Sequence, residues 1–336
     1  MTAKPRIWVS RPTFPDIIAR LGEYFEVSVE TEERTFSPAE LAARIADQDA
    51  VIVGLKEHIG AAEVAGAKRL RIVANLAVGY DNLDLRALTA AGIVATNTAN
   101  ALNESVADYA WAMLLGAARR VGAAERWLRA GHWHATGFKA WLGLDVRGRT
   151  LGILGMGHIG QAVARRAAGF SMDVIYHNRS PLPAKLERAA RYVDKPRLLR
   201  DSDFLVLCLP LTPQSRHAIG AAELALMKPT AVLVNVARGG IVDDAALAAA
   251  LAKGDLAAAA LDVFENEPNI HPALLQLDNV LLSPHIASAS QDSRRAMTAM
   301  AVDNVLALFG HGPHAGQPPT ILNPEVLAAS GPISPP

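Results

Sequence analysis

Short blocks of consecutive apolar residues recur along this chain, separated by stretches with helical spacing. In the first hundred residues the blocks are Arg6–Val9, Ala50–Val53, Arg71–Ala74 and Ile93–Thr96, and each predicts a strand. Between them, Pro38–Ala46 and Leu83–Ala91 repeat apolar positions at helical intervals. A second series starts at Arg149. It predicts strands at Thr150–Leu154, Asp173–Tyr176, Phe204–Leu207, Ala231–Asn235, Ala259–Asp262 and Val280–Leu282. Repeated strand-helix-strand units predict parallel sheets covered on both faces. The second series suits a Rossmann sheet. A long helix is expected from Asn103, read as its N-cap, to about Arg120, and another from Gln291 to Leu308. The tail from His311 is rich in Pro and Gly and predicts a loosely ordered strap.

Composition narrows the class. The chain has 336 residues, room for two domains, with 51% hydrophobic and 20% charged residues. Lys+Arg and Asp+Glu each number 33, so there is no electrostatic footprint for nucleic acid or an anionic membrane. No signal peptide and no membrane-spanning run are visible, and a cytoplasmic setting is expected. The single cysteine, Cys208, sits in an apolar run and reads as a small buried hydrophobe. His132 and His134 lack the Cys or carboxylate neighbours of a metal site, so no metal is expected. Asp243 and Asp244 open an Ala-rich helical run and read as N-terminal capping.

Directly after the strand Thr150–Leu154 comes Gly155-Met156-Gly157-His158-Ile159-Gly160, opening a helix expected over Gln161–Ala168. In that context the glycines match a dinucleotide turn. The first permits the turn, the second lets the backbone approach a pyrophosphate, and the third packs helix on strand. An NAD enzyme places a carboxylate after the next strand. Here stand Asn178, Arg179 and Ser180; Arg179 can meet a 2′-phosphate and Ser180 can donate to it, the other reading of Arg179 being a solvated loop charge. NADP(H) is therefore the expected cofactor, with NAD(H) the weaker alternative.

Three further segments each follow a strand-like run. Arg238 can grip the carboxylate and carbonyl of a 2-oxo acid. His285 can exchange a proton near neutral pH. Glu267 can accept a hydrogen bond from the other ring nitrogen and favour the protonated ring. Each residue alone also has a bland reading, as a surface charge, a satisfied core histidine or a loop carboxylate. In this order behind a dinucleotide turn they form a hydride-transfer centre.

These motifs resemble the D-isomer-specific 2-hydroxyacid dehydrogenase family, from Ile7 to about Phe309. The resemblance implies a flavodoxin-like substrate domain (1–102 plus 289–336), a Rossmann cofactor domain (103–288) and an active-site cleft between them. It makes Arg238, Glu267 and His285 the catalytic set. It adds Val106, Leu209, Pro210, Ala237, Asp262 and Ala287 to the cofactor contacts, and gives Val78 and Gly79 the amides that hold the substrate carboxylate. It also implies a homodimer, for which the irregular Trp133–Trp141 segment would be an arm, with Trp141 reaching the partner's active site. A local aromatic cluster is the other reading of that segment.

Within the family the chain is most similar to glyoxylate/hydroxypyruvate reductases and 2-ketogluconate reductases. Formate dehydrogenases pair their histidine with Gln, so Glu267 argues against that activity. Phosphite dehydrogenases share the Arg-Glu-His set, and dinucleotide-sensing corepressors share the fold. Lys56 lies near a loop that lines the pocket in relatives. Pointing inward it would favour a longer or doubly anionic substrate; otherwise it is solvated.

Overall fold

Two sheets carry the chain in this computed structural model, which describes residues 3–135 and 137–330. Five strands, β1 (Arg6–Val9), β2 (Glu26–Val29), β3 (Ala50–Val53), β4 (Ile72–Asn75) and β5 (Val94–Thr96), form one sheet in the order β2-β1-β3-β4-β5. Seven strands form the other: β6 (Thr150–Leu154), β7 (Asp173–His177), β8 (Arg191–Tyr192), β9 (Phe204–Leu207), β10 (Val232–Asn235), β11 (Ala258–Leu261) and β12 (Val280–Leu282). Their order is β12-β11-β10-β9-β6-β7-β8. Every paired neighbour is parallel. The first order is the flavodoxin-like one and the second the Rossmann one, so both sheets are the doubly wound α/β type.

The chain divides into two compact units. One runs through Leu102 and resumes at Ser290; the other is Asn103–Ala289. In the first, one cluster built on Ile7, Ile52, Ile72 and Val305 covers one face of the sheet. A second, built on Trp8, Val51, Val73 and Leu88, covers the other. This is why β3 and β4 read as unbroken apolar runs: every residue in them is buried. In the other unit the helix Asn103–Ala118 lies against β10 and β11 and against the helix His158–Ala167. Trp111 fixes that contact by donating its indole N–H to the Val163 carbonyl at 3.0 Å and stacking on Phe170.

Local chemistry sets the element ends. Ser37 and Glu40 form a reciprocal capping box that starts the helix Pro38–Ile45. Asp243 caps Asp244–Lys253, as its position suggests. Several expectations need correction. β2 and the two-residue β8 are edge strands whose exposed positions hide any apolar run. Asn103 is the first residue of its helix, and the helix after the glycine turn begins at His158.

The tail is also not a loose strap. Ile321 bridges Thr96 antiparallel, and Thr320 donates to the Asn97 carbonyl at 2.6 Å. The buried Asn323 accepts the Ala95 amide at 2.8 Å and donates to the Ile93 carbonyl at 2.9 Å. A last helix, Glu325–Ser330, follows; the remainder of the tail lies outside the described residues. Among the described residues no helix is long and apolar enough to cross a membrane.

Candidate active site

β11 ends at Leu261, and the next residue, Asp262, is fully buried. Its Oδ1 accepts the Ser283 hydroxyl at 2.6 Å and the Ile286 amide at 2.9 Å, and its Oδ2 accepts the Ala287 amide at 2.8 Å. The His285 amide donates to the Asp262 carbonyl at 2.8 Å. One carboxylate and one carbonyl thus shape the loop after β12, and His285 sits in it with φ +55°. A non-glycine residue in that region is held there by its surroundings.

The imidazole is oriented by Glu267. His285 Nδ1 and Glu267 Oε2 are 2.8 Å apart. A carboxylate only accepts, so Nδ1 carries the hydrogen of this bond, and Nε2 has no hydrogen-bond partner among the described residues. Glu267 Oε1 accepts the Phe264 amide at 3.0 Å. Burial alone would raise the Glu267 carboxyl. The His285 hydrogen bond and charge, the Phe264 amide and the Arg238 charge together outweigh it and hold the group below its ordinary value.

Arg238 follows β10 by way of a turn that Asn235 shapes. Asn235 Nδ2 donates to the Arg238 carbonyl at 3.1 Å, and its Oδ1 accepts the Ala237 amide at 3.1 Å. The half-buried Arg238 donates from Nη1 to the Ala237 carbonyl at 2.9 Å. The next segment along is pinned by Glu265. Its amide donates to Asp244 Oδ2 at 3.1 Å, and its carboxylate pairs with Arg216 and, at 2.8 Å, with His217.

Gly155 begins the nucleotide turn with φ +101°, and a Cβ there would stand 2.7 Å from the Cys208 carbonyl. A side chain is excluded on both counts. At Gly157 a Cβ would meet open space, so the backbone there is approachable. Gly157 also caps the helix His158–Ala167 without a side-chain hydrogen bond, so the first helical amides remain for an anion. Asn178 Oδ1 accepts the Met156 amide at 2.7 Å and so braces the turn. Arg179 and Ser180 are exposed and, among the described residues, have no hydrogen-bond or ion-pair partner. No carboxylate occupies Asn178–Ser180. The glycine turn and the residues after β7 fit a dinucleotide.

The other expected cofactor residues lie on the same carboxyl edge of the seven-stranded sheet. Leu209, Pro210 and Ala237 follow β9 and β10. Val106 is buried on the helix Asn103–Ala118, where Ser105 donates to the Ala287 carbonyl at 3.3 Å. Sequence reading missed the bracing work of Asp262 and Asn178, because it depends on which amides lie opposite them.

In the other unit, the carbonyls of Val78 and Gly79 are held by Asn97 and Asn75 at 2.8 and 2.9 Å. Among the described residues neither amide has an acceptor. Lys56 is exposed. Trp141, with φ +57°, packs edge-on against Trp127 and lies under the Arg120 guanidinium of its own chain. Cys208 is half-buried rather than buried as expected, and desolvation pushes its thiol up to about 12. Among the described residues no cluster of His, Cys, Asp and Glu could hold a metal ion.

Residues 111–287 match the family model "D-isomer specific 2-hydroxyacid dehydrogenase, NAD binding domain". The glyoxylate reductase of Thermococcus onnurineus is 45% identical over 330 residues, which is 96% of this chain and 97% of that protein. A solved glyoxylate reductase from Paecilomyes thermophila superposes with a TM-score of 0.86 at 32% identity, covering 97% of this chain and 100% of that one. An NADPH-dependent glyoxylate/hydroxypyruvate reductase from Sinorhizobium meliloti, solved with NADP and malonate, gives 0.84 at 38% identity over 95% and 97%.

Proposed function

The chain belongs to the D-isomer-specific 2-hydroxyacid dehydrogenase family, an oxidoreductase family with an NAD(P)-binding domain, and from that premise we propose that it reduces small 2-oxo acids such as glyoxylate and hydroxypyruvate with NADPH. The product is a D-2-hydroxy acid, or glycolate from glyoxylate. The observation that carries this reading is the 2.8 Å contact of His285 Nδ1 with Glu267, which leaves Nε2 to present a proton.

When bound, the nicotinamide supplies the hydride that forms the new C–H bond at C2. Arg238 binds the substrate carboxylate and polarises the carbonyl, and the amides of Val78 and Gly79 hold the carboxylate. As the C=O π bond breaks, His285 Nε2 gives its proton to the oxygen. Glu267 stabilises the charge on the ring before that transfer. Arg179 and Ser180 support the choice of NADPH, and the 2-oxo acids named for the relatives support the substrate class. The family resemblance and the exposed Trp133, Phe138 and Leu142 support a homodimer.

The test is NADPH oxidation with glyoxylate, hydroxypyruvate, 2-ketogluconate and phenylpyruvate, repeated with NADH and with Arg238→Ala. NADPH-preferring turnover that Arg238→Ala abolishes supports the reading. Tight NADPH binding without turnover on any of them contradicts it and points to phosphite oxidation or to dinucleotide sensing.

A further inference from the structure

The turn that carries Arg179 and Ser180 is fastened at both ends. At its near end Asn178 is engaged twice. Its Oδ1 accepts the Met156 amide at 2.7 Å, and its carbonyl accepts the Tyr192 hydroxyl at 3.3 Å. The far end, at Leu182, is held from the strand before the turn by Tyr176, the penultimate residue of β7 and fully buried. Its hydroxyl donates to Glu187 Oε1 at 2.6 Å and accepts the Leu182 amide at 2.8 Å. One buried oxygen therefore joins the strand before the turn to two points beyond it. Tyr192 packs edge-on against the Tyr176 ring at 5.5 Å, and burial, with the Glu187 hydrogen bond, pushes the Tyr176 hydroxyl up to about 12. The group stays a donor throughout the neutral range.

Glu187 gives this clasp its importance. It ends a short helix, Ala184–Glu187, that follows the turn by only a few residues. Turned back toward the turn instead, this carboxylate would bring a negative charge toward Arg179 and repel a phosphate. With its Oε1 bonded to Tyr176, it is directed toward the strand instead.

We propose that Tyr176 is a positioning residue for recognition of the cofactor's 2′-phosphate, holding the Arg179–Leu182 turn preformed and keeping Glu187 away from Arg179. This rests on the NADPH reading above, and it extends that reading from the residues that touch the phosphate to the buried hydroxyl that presents them.

The test is calorimetric binding of 2′,5′-ADP and of 5′-AMP, which differ only in the 2′-phosphate, to the full chain. The variants are Tyr176→Phe, Tyr176→Phe with Glu187→Gln, and Arg179→Ala. The wild type is expected to favour 2′,5′-ADP, and Arg179→Ala to lose that preference. Tyr176→Phe should weaken 2′,5′-ADP by about tenfold and leave 5′-AMP within about twofold, the loss typical of one hydrogen bond to a charged group. Adding Glu187→Gln should recover most of that loss.

Unchanged 2′,5′-ADP binding in Tyr176→Phe, or equal weakening of both ligands, would overturn the inference while leaving the NADPH reading intact. Failure of Glu187→Gln to recover binding would overturn the shielding of Arg179. A wild type that does not distinguish the two ligands would overturn the NADPH reading, and the inference with it.

Discussion

Gly239 lies so close to Phe264 that a Cβ on it would stand 1.7 Å from the Phe264 carbonyl oxygen. The two strand-end segments that carry Arg238 and Glu267 are therefore in backbone contact, and only glycine permits it. Gly239→Ala must separate them. Misplacement of about 1 Å at a reacting centre costs on the order of a hundredfold in rate. We expect kcat/KM for glyoxylate to fall by about that factor, with NADPH affinity within about threefold of wild type. Steady-state kinetics beside fluorescence titration of NADPH checks this; an unimpaired variant contradicts it.

Asp262 is expected to act through His285. Its two carboxylate oxygens take the Ser283 hydroxyl and the Ile286 and Ala287 amides. Asn in its place offers one acceptor oxygen, so at least one buried amide loses its partner, at a cost of about 1–3 kcal/mol. Asp262→Asn should lower the urea midpoint accordingly and reduce kcat more than it raises KM. A variant with wild-type stability would show that the loop after β12 is held by something else.

Glu267 makes a pH-dependent contribution with a definite sign. Its carboxyl is held below the ordinary value of 4.5, so the folded state prefers the charged form. The resulting stability is fully present above about pH 4.5 and is lost as pH falls through the lowered folded value. Glu267→Gln should therefore be less stable than wild type at pH 7, and the gap in urea midpoint should shrink at pH 3.5. A gap independent of pH would contradict the ionic pairing.

Both doubly wound sheets were legible in the chain because buried parallel strands must be apolar on both faces, and β3, β4, β9 and β10 announce themselves that way. β2 was not, since Glu26 and Ser28 alternate with valines on an edge that water reaches. The glycine turn was readable because a φ of +101° at Gly155 restricts the residue type. The segments bearing Arg238, Glu267 and His285 were readable because each follows a strand. The order of the tail does not show in the sequence because its anchors are polar. Asn323 and Thr320 bind backbone groups of β5 and its neighbourhood, a role that periodicity does not record. The same holds for Tyr176, which looks like one more apolar position in β7 until its hydroxyl is seen to join Leu182 and Glu187.

His285 is proposed to give a proton to a 2-oxo acid as it is reduced. The most direct measurement is single-turnover oxidation of bound NADPH by glyoxylate, comparing wild type with His285→Gln, with NADPH affinity measured on both. Loss of a positioned general acid costs about 10²–10⁴-fold, so the variant should bind NADPH normally and turn over slower by that factor. A His285→Gln enzyme that oxidises NADPH at the wild-type rate would contradict the account.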